Sequence, residues 1–289
     1  MSADSLATIG RLVRADLTKL SCYWIVVAGY AAISLFLVFG AILTHFAEQS
    51  FKVTSASGYG FAFSLMVRGL DFSSSILYVM ICILFSIDVA HSTVKYVLTR
   101  PVTRLELLLS KYVTAAIMIA ATLALLWGTS LGAAWIYYGL GDLTENDYVI
   151  FEAGTVFHHI AVATCFLALA MGATASMAIA ISSFSSTMGG SIVIGFIFYT
   201  VFGALSVIPA DLGVSFDWGQ TPIHLPYSIL AFPTQIFVPM YILDDLPTGI
   251  AIQDWWGPDI RRMCAASVTF GLVFFAIAAM GVRKRDYTL

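Results

Sequence analysis

The residues able to do chemistry are few in this chain, and they gather in one stretch, Asp88 to Lys111, which reads DVAHSTVKYVLTRPVTRLELLLSK. It lies between two long apolar runs and carries Lys95, Arg100, Arg104, Glu106 and Lys111 around a single proline, Pro101. Charges of both signs around a stiff turn suit contact with another protein. Catalysis has little to work with. No GxxxxGK phosphate loop is present, so the chain lacks that device for holding a nucleotide. His45, His91, His158 and His159 stand near the ends of apolar runs, a poor arrangement for a metal or bis-histidine haem site. Cys22, Cys82, Cys165 and Cys264 occur singly without CxxC spacing, and read as small packed residues. No metal and no cofactor is expected in the chain itself.

The elements that must position this stretch are membrane spans. Apolar residues make up 60% of the sequence and charged ones 11%, with a mean hydropathy of +0.90. Soluble domains hold about 25% charged residues. With 14 Lys and Arg and a formal charge of −3, the chain has no polybasic surface for a nucleic-acid backbone. A helix needs about 20 apolar residues to cross a ~30 Å hydrocarbon core. Tyr23 to Leu43, Tyr112 to Tyr138, Ile160 to Ser182, Met188 to Ile208 and Met263 to Val282 satisfy this without a charge, and the shorter Phe72 to Ile87 does so if Asp71 and Asp88 reach the headgroups. The fold class expected is therefore an all-α integral membrane protein with six spans over 23–289. Trp218 to Leu243 is also uncharged, but Pro222, Pro226, Pro233 and Pro239 interrupt any helical ladder. The Pro- and Trp-rich stretch 209–262 is accordingly expected to lie at the outer interface or re-enter the membrane without crossing.

Orientation follows from the basic residues. Six spans starting inside place Arg11, Arg14, Lys19, Lys95, Arg100, Arg104, Lys111, Arg283, Lys284 and Arg285 in the cytoplasm, leaving four of the 14 outside. Twelve of the 17 acidic residues then fall outside, where they solvate loops. The chain reads N-in and C-in. Residues 1–22 read as an uncleaved interfacial helix, since Leu6, Ile9, Val13, Leu17 and Leu20 form an apolar stripe with Arg11, Arg14, Asp16 and Lys19 off it. All ionisable residues are expected at interfaces or in loops, Lys111 snorkelling to the headgroups. Close helix contacts, within one chain by default or else across a dimer, are expected where small residues recur, at Thr164, Ala168, Gly172, Ser176 and Ala180 and at Gly128 and Gly132.

Within the charged stretch, the helix of the second span is expected to continue through about Leu98 and break at Thr99-Arg100-Pro101, because proline disfavours helical geometry in the residue before it. Val102 leads into Thr103 and Glu106, whose T-x-x-E spacing is a capping box and starts the next helix.

This stretch resembles the cytoplasmic coupling region of ATP-binding-cassette (ABC) type-2 permeases. The matching residues are Asp88, Thr93, Leu98, Pro101, Thr103, Arg104, Leu107 to Leu109 and Lys111, with Ser92 where the family usually has glycine and Asp88 in place of the more usual Glu. The amphipathic leader, six spans, long outer segment and basic tail are similar as well. The resemblance implies a permease subunit of an ABC transporter in the plasma (inner) membrane, paired as a homo- or heterodimer among membrane lipid. It would be driven by separate ATPase subunits that bind ATP and Mg and dock on Lys95, Leu98, Thr99, Arg100, Pro101, Val102, Thr103, Arg104 and Glu106. The chain itself would export a substrate, or transmit force to an extracytoplasmic partner, and would not be the enzyme. A translocation path along spans two and five would offer Tyr78, Phe85, Ser191, Phe196 and Tyr199. A non-transporting membrane scaffold is the alternative reading of the same features.

Overall fold

The structure is a computed structural model that describes residues 3–51, 58–90, 102–145, 148–215 and 258–284. Among these the chain forms seven helices: α1 (Ala3–Cys22), α2 (Trp24–Phe51), α3 (Gly58–Ala90), α4 (Arg104–Tyr137), α5 (Ala153–Phe184), α6 (Met188–Ser215) and α7 (Pro258–Lys284). Between α4 and α5 lies a small antiparallel hairpin, β1 (Leu143–Glu145) with β2 (Tyr148–Phe151), the one departure from the all-α expectation. Five of the helices, α2, α3, α4, α5 and α7, are long and apolar enough to cross a membrane, and α6 adds a shorter apolar stretch, Met188–Val201. The molecule is a multi-pass membrane protein.

The helices exceed the apolar runs that announce them. α3 starts well before Phe72 and has 33 residues, about 50 Å at ~1.5 Å per residue. That is longer than a ~30 Å hydrocarbon core, so the helix projects beyond it. Asp71 does not end it, because its carboxylate is exposed while its carbonyl accepts the hydroxyls of Ser74 and Ser75 at 3.1 and 2.9 Å. α4 begins at the cap Thr103, and α1 stops one residue before α2, with Tyr23 at the joint.

Close approach sets the layout. A Cβ on Gly69 would stand 2.5 Å from Leu37 Cδ2 of α2 and 3.1 Å from Leu126 Cδ2 of α4, so α3 is clasped between them where no side chain would fit. The α2–α3 and α3–α4 pairs are antiparallel, as Gly29 meets Met80 and Gly40 meets Leu65 on one side, and Lys111 meets Asp88 on the other. Gly195 of α6 approaches Cys82 of α3, and the Tyr199 hydroxyl lies 3.1 Å from Ser74 Oγ, which makes α6 antiparallel to α3. α7 runs parallel to α5. Ala266 packs with Ala173, and Gly271 faces Ser176. Gly281 lies so close to Ser183 that a Cβ there would stand 2.5 Å from its Oγ.

Small residues do form a close contact between α5 and α7, but through Ala173, Ser176 and Ser183, while a Cβ on Gly172 of the expected face would meet nothing within 4 Å. Gly128 and Gly132 form none. A Cβ on either would meet nothing within 4 Å, so the GxxxG face of α4 packs on nothing within the described chain. The main core runs through α2, α3, α4, α5 and α7, with Ile33, Leu37, Met66, Leu126, Ala178 and Ala278 all fully enclosed.

Candidate functional site

The charges expected in loops and headgroups meet instead inside the protein. Lys111, in the second turn of α4, is 1% exposed. Its Nζ donates to Asp16 Oδ1 of α1 at 2.8 Å and also pairs with Asp88 Oδ2 near the end of α3. Lys19, one turn on from Asp16, donates to Asp88 Oδ1 at 2.9 Å from a half-open position. Two lysines and two carboxylates balance, so the cluster is neutral and each enclosed charge has an opposite partner. Unpaired, any of them would cost several kcal/mol. Burial pushes the Asp16 carboxyl above its usual range, with the Lys111 ammonium acting in the opposite direction. Lys111 thus does not snorkel to the headgroups. Two carboxylates within reach hold it better than a stretched stem would.

Asp16 reaches this cluster because the buried face of α1 is Ile9, Val13, Asp16 and Leu20, while Leu6 is exposed and Leu17 half-buried. The steps of four, three and four keep one side of the helix facing α4. The expected stripe placed Asp16 off that face. A carboxylate at stripe spacing, with a lysine beside Leu107–Leu109 and an aspartate closing an apolar run, was the available signal. Arg11 and Arg14 are exposed, on the side of α1 away from this face.

Three further hydrogen bonds tie neighbouring helix ends to the start of α4. The capping box is complete: Glu106 N donates to Thr103 Oγ1 at 3.2 Å, and Thr103 N donates to Glu106 Oε2 at 2.8 Å. The other Glu106 oxygen accepts Ser5 Oγ at 2.6 Å, which fixes the first turn of α1. Arg104 Nη1 donates to the carbonyls of Val282 and Arg283 at 3.2 and 2.5 Å, closing the C-terminus of α7. A cation against the last carbonyls of a helix satisfies orphan acceptors and opposes the negative end of the dipole. Arg104 is therefore occupied inside the chain, with part of its side chain left exposed. Of the proposed docking residues, Lys95, Leu98, Thr99, Arg100 and Pro101 lie outside the described residues, as does the continuation of α3 to Leu98. Val102 leads into the cap.

The proposed path residues fall into two groups. Tyr78 and Tyr199 pack with ring centroids 4.9 Å apart, and Ser191 Oγ donates to the Cys82 carbonyl at 2.5 Å, so these join α3 to α6. Phe85 is fully buried where its backbone N and that of Ser86 both donate to Ser182 Oγ, at 3.1 and 2.9 Å. These four positions serve helix packing within the chain. Phe196 is 56% exposed and turned outward. Among the described residues no group of three His, Cys, Asp or Glu is placed to hold a metal ion.

What the junction can do is mechanical. The pairing of Asp88 with Lys111 joins the end of α3 to the start of α4, and Asp16 and Lys19 fasten α1 to both. The sequence matches no protein-family model, and no curated protein gives a significant match.

Proposed function

We propose that this chain is the membrane-spanning permease subunit of an ABC transporter of the type-2 kind, with six spans, N-in and C-in, in the plasma (inner) membrane. Separate ATPase subunits would bind ATP and Mg and dock on the segment 91–103, and a second permease chain would complete the transporter. The observation that supports this best is the neutral, buried Asp16–Lys19–Asp88–Lys111 cluster at the base of that segment. A loop that only connects two spans needs no such foundation, whereas one that receives force must be anchored to the helices it moves.

The course of the helices supports six crossings. α6 starts at the end of the bundle where α5 stops and runs the other way, while α7 is parallel to α5. The last described residue of α6 and the first of α7 therefore lie toward the same end of the bundle, as six crossings require. At the opposite end Arg104 bonds the last carbonyls of α7, beside the exposed Arg283 and Lys284, and this basic character supports a cytoplasmic location for that end.

Purification of the chain from its native membrane in mild detergent is expected to bring with it, in about equal amount, a chain carrying a phosphate-binding loop and ATPase activity. Isolation of the protein with membrane components alone would favour a scaffold and end the permease reading.

A further inference from the structure

The structure assigns a second site, outside the junction: we propose that the groove between α5, α6 and α7 holds one acyl chain of an anionic phospholipid, its phosphate at Lys284 and the Ser185–Thr187 turn. The groove encloses about 480 Å³, within the ~300–1,000 Å³ of small-molecule sites. Ile181, Phe184, Ile194, Phe198, Phe274 and Ile277 form its apolar walls, and Ser185, Ser186 and Thr187 close one end with hydroxyl groups. Apolar sides with one hydroxylated end match a single chain attached to a polar head.

The depth of that end is fixed independently. Tyr23, at the joint where α1 gives way to α2, places its hydroxyl 3.5 Å from Met188 Sδ, the residue after Thr187. An interfacial helix meets a span at the membrane surface, so the hydroxylated end of the groove lies at headgroup level and the apolar walls lie at chain level.

Charge selects the headgroup. Ile277 and Lys284 are seven residues apart and so share a face of α7, Lys284 lying about 10 Å nearer the surface. Gly281, between them, touches Ser183 and Phe184, which brings this turn of α7 beside the end of α5. Lys284 and Arg283 are both exposed, and the groove lining carries no acidic side chain. A cation above a hydroxylated rim recognises a phosphate that has no compensating amine. Phosphatidylglycerol fits this better than phosphatidylcholine. The inference goes beyond the permease reading and uses it only to name the leaflet, the cytoplasmic one.

Native mass spectrometry of the delipidated protein, offered phosphatidylglycerol and phosphatidylcholine in equal amounts, tests the site without any ATPase. Wild-type protein is expected to retain the anionic lipid severalfold over the zwitterionic one. Lys284→Ala, at an exposed helix end where folding is not at stake, should bring the two lipids to parity, and Lys284→Arg should restore the preference. Ile277→Trp should lower retention of both by filling the groove, whereas Leu35→Trp on the exposed face of α2 should leave retention unchanged. Equal retention of both lipids by the wild type, or a Lys284→Ala variant that keeps the preference, would overturn the assignment.

Discussion

Replacing Lys111 by Met is expected to destabilise the protein by about 3–5 kcal/mol, the range for removing one partner of a buried ion pair. The lysine is enclosed and serves two carboxylates at once. Without it Asp16 has no partner within normal reach, since Lys19 is 4.0 Å away and already bonded to Asp88. Two carboxylates would then face each other with one half-exposed ammonium between them. Lys19→Ala is expected to cost far less, about 0–1 kcal/mol, because a side chain that is 41% exposed is screened and its loss leaves Lys111 in place. The triple change Asp16→Asn, Asp88→Asn and Lys111→Met should recover much of the loss, since it removes the charges together. Thermal unfolding in detergent at constant pH gives the comparison. The Lys111→Met variant should also gain stability as the pH falls: burial raises the Asp16 carboxyl above its unfolded pKa, and without the Lys111 ammonium nothing opposes that strongly, so the folded form takes up more protons in that window. A Lys111→Met cost no larger than that of Lys19→Ala would mean that the cluster is not what anchors α1 and α3 to α4.

The second large effect concerns the turn at Arg100-Pro101. On the permease proposal ATPase subunits dock at this segment, and Pro101→Gly exchanges a residue with fixed φ for the most permissive one at the proposed contact. In reconstituted complexes, coupled transport per ATP hydrolysed is expected to fall severalfold while the permease still inserts and folds. Arg104→Glu should act by another route. It puts a carboxylate against the Val282 and Arg283 carbonyls that the guanidinium now satisfies. At this exposed position the stability cost should stay under about 1 kcal/mol, yet α7 would be released from the start of α4. Wild-type turnover in both variants would leave the segment as an ordinary basic loop.

Five long apolar helices, the separate first helix and the capping box were legible in the sequence, because each rests on local periodicity or spacing. Residues 1–22 read as a separate helix and fold as Ala3–Cys22, and Thr103 and Glu106 form the reciprocal cap that their spacing predicts. What escaped depends on partners distant in sequence. Asp16 and Lys111 are 95 positions apart, and hydropathy scores each as a charge to be placed in water. Their neutralisation becomes visible only when α1 lies on α4. The early start of α3 was hidden by Arg68 and Asp71, which interrupt the apolar run but sit on the exposed side of a continuing helix. Gly128 and Gly132 differ again: no contact within the described chain covers them, since GxxxG spacing gives a flat face without saying what covers it.

An ATPase can reach the segment 91–103 only if that end of the bundle is cytosolic, and the direction of α7 decides whether the chain makes six crossings. Single cysteines at Gly141, Ser186 and Asp259, in a chain whose four native cysteines have been replaced, measure both with an impermeant thiol reagent on intact cells. Gly141→Cys and Asp259→Cys are expected to label from outside, and Ser186→Cys only after the membrane is opened. Labelling of Ser186→Cys on intact cells, or protection of Asp259→Cys, would contradict the account at its base.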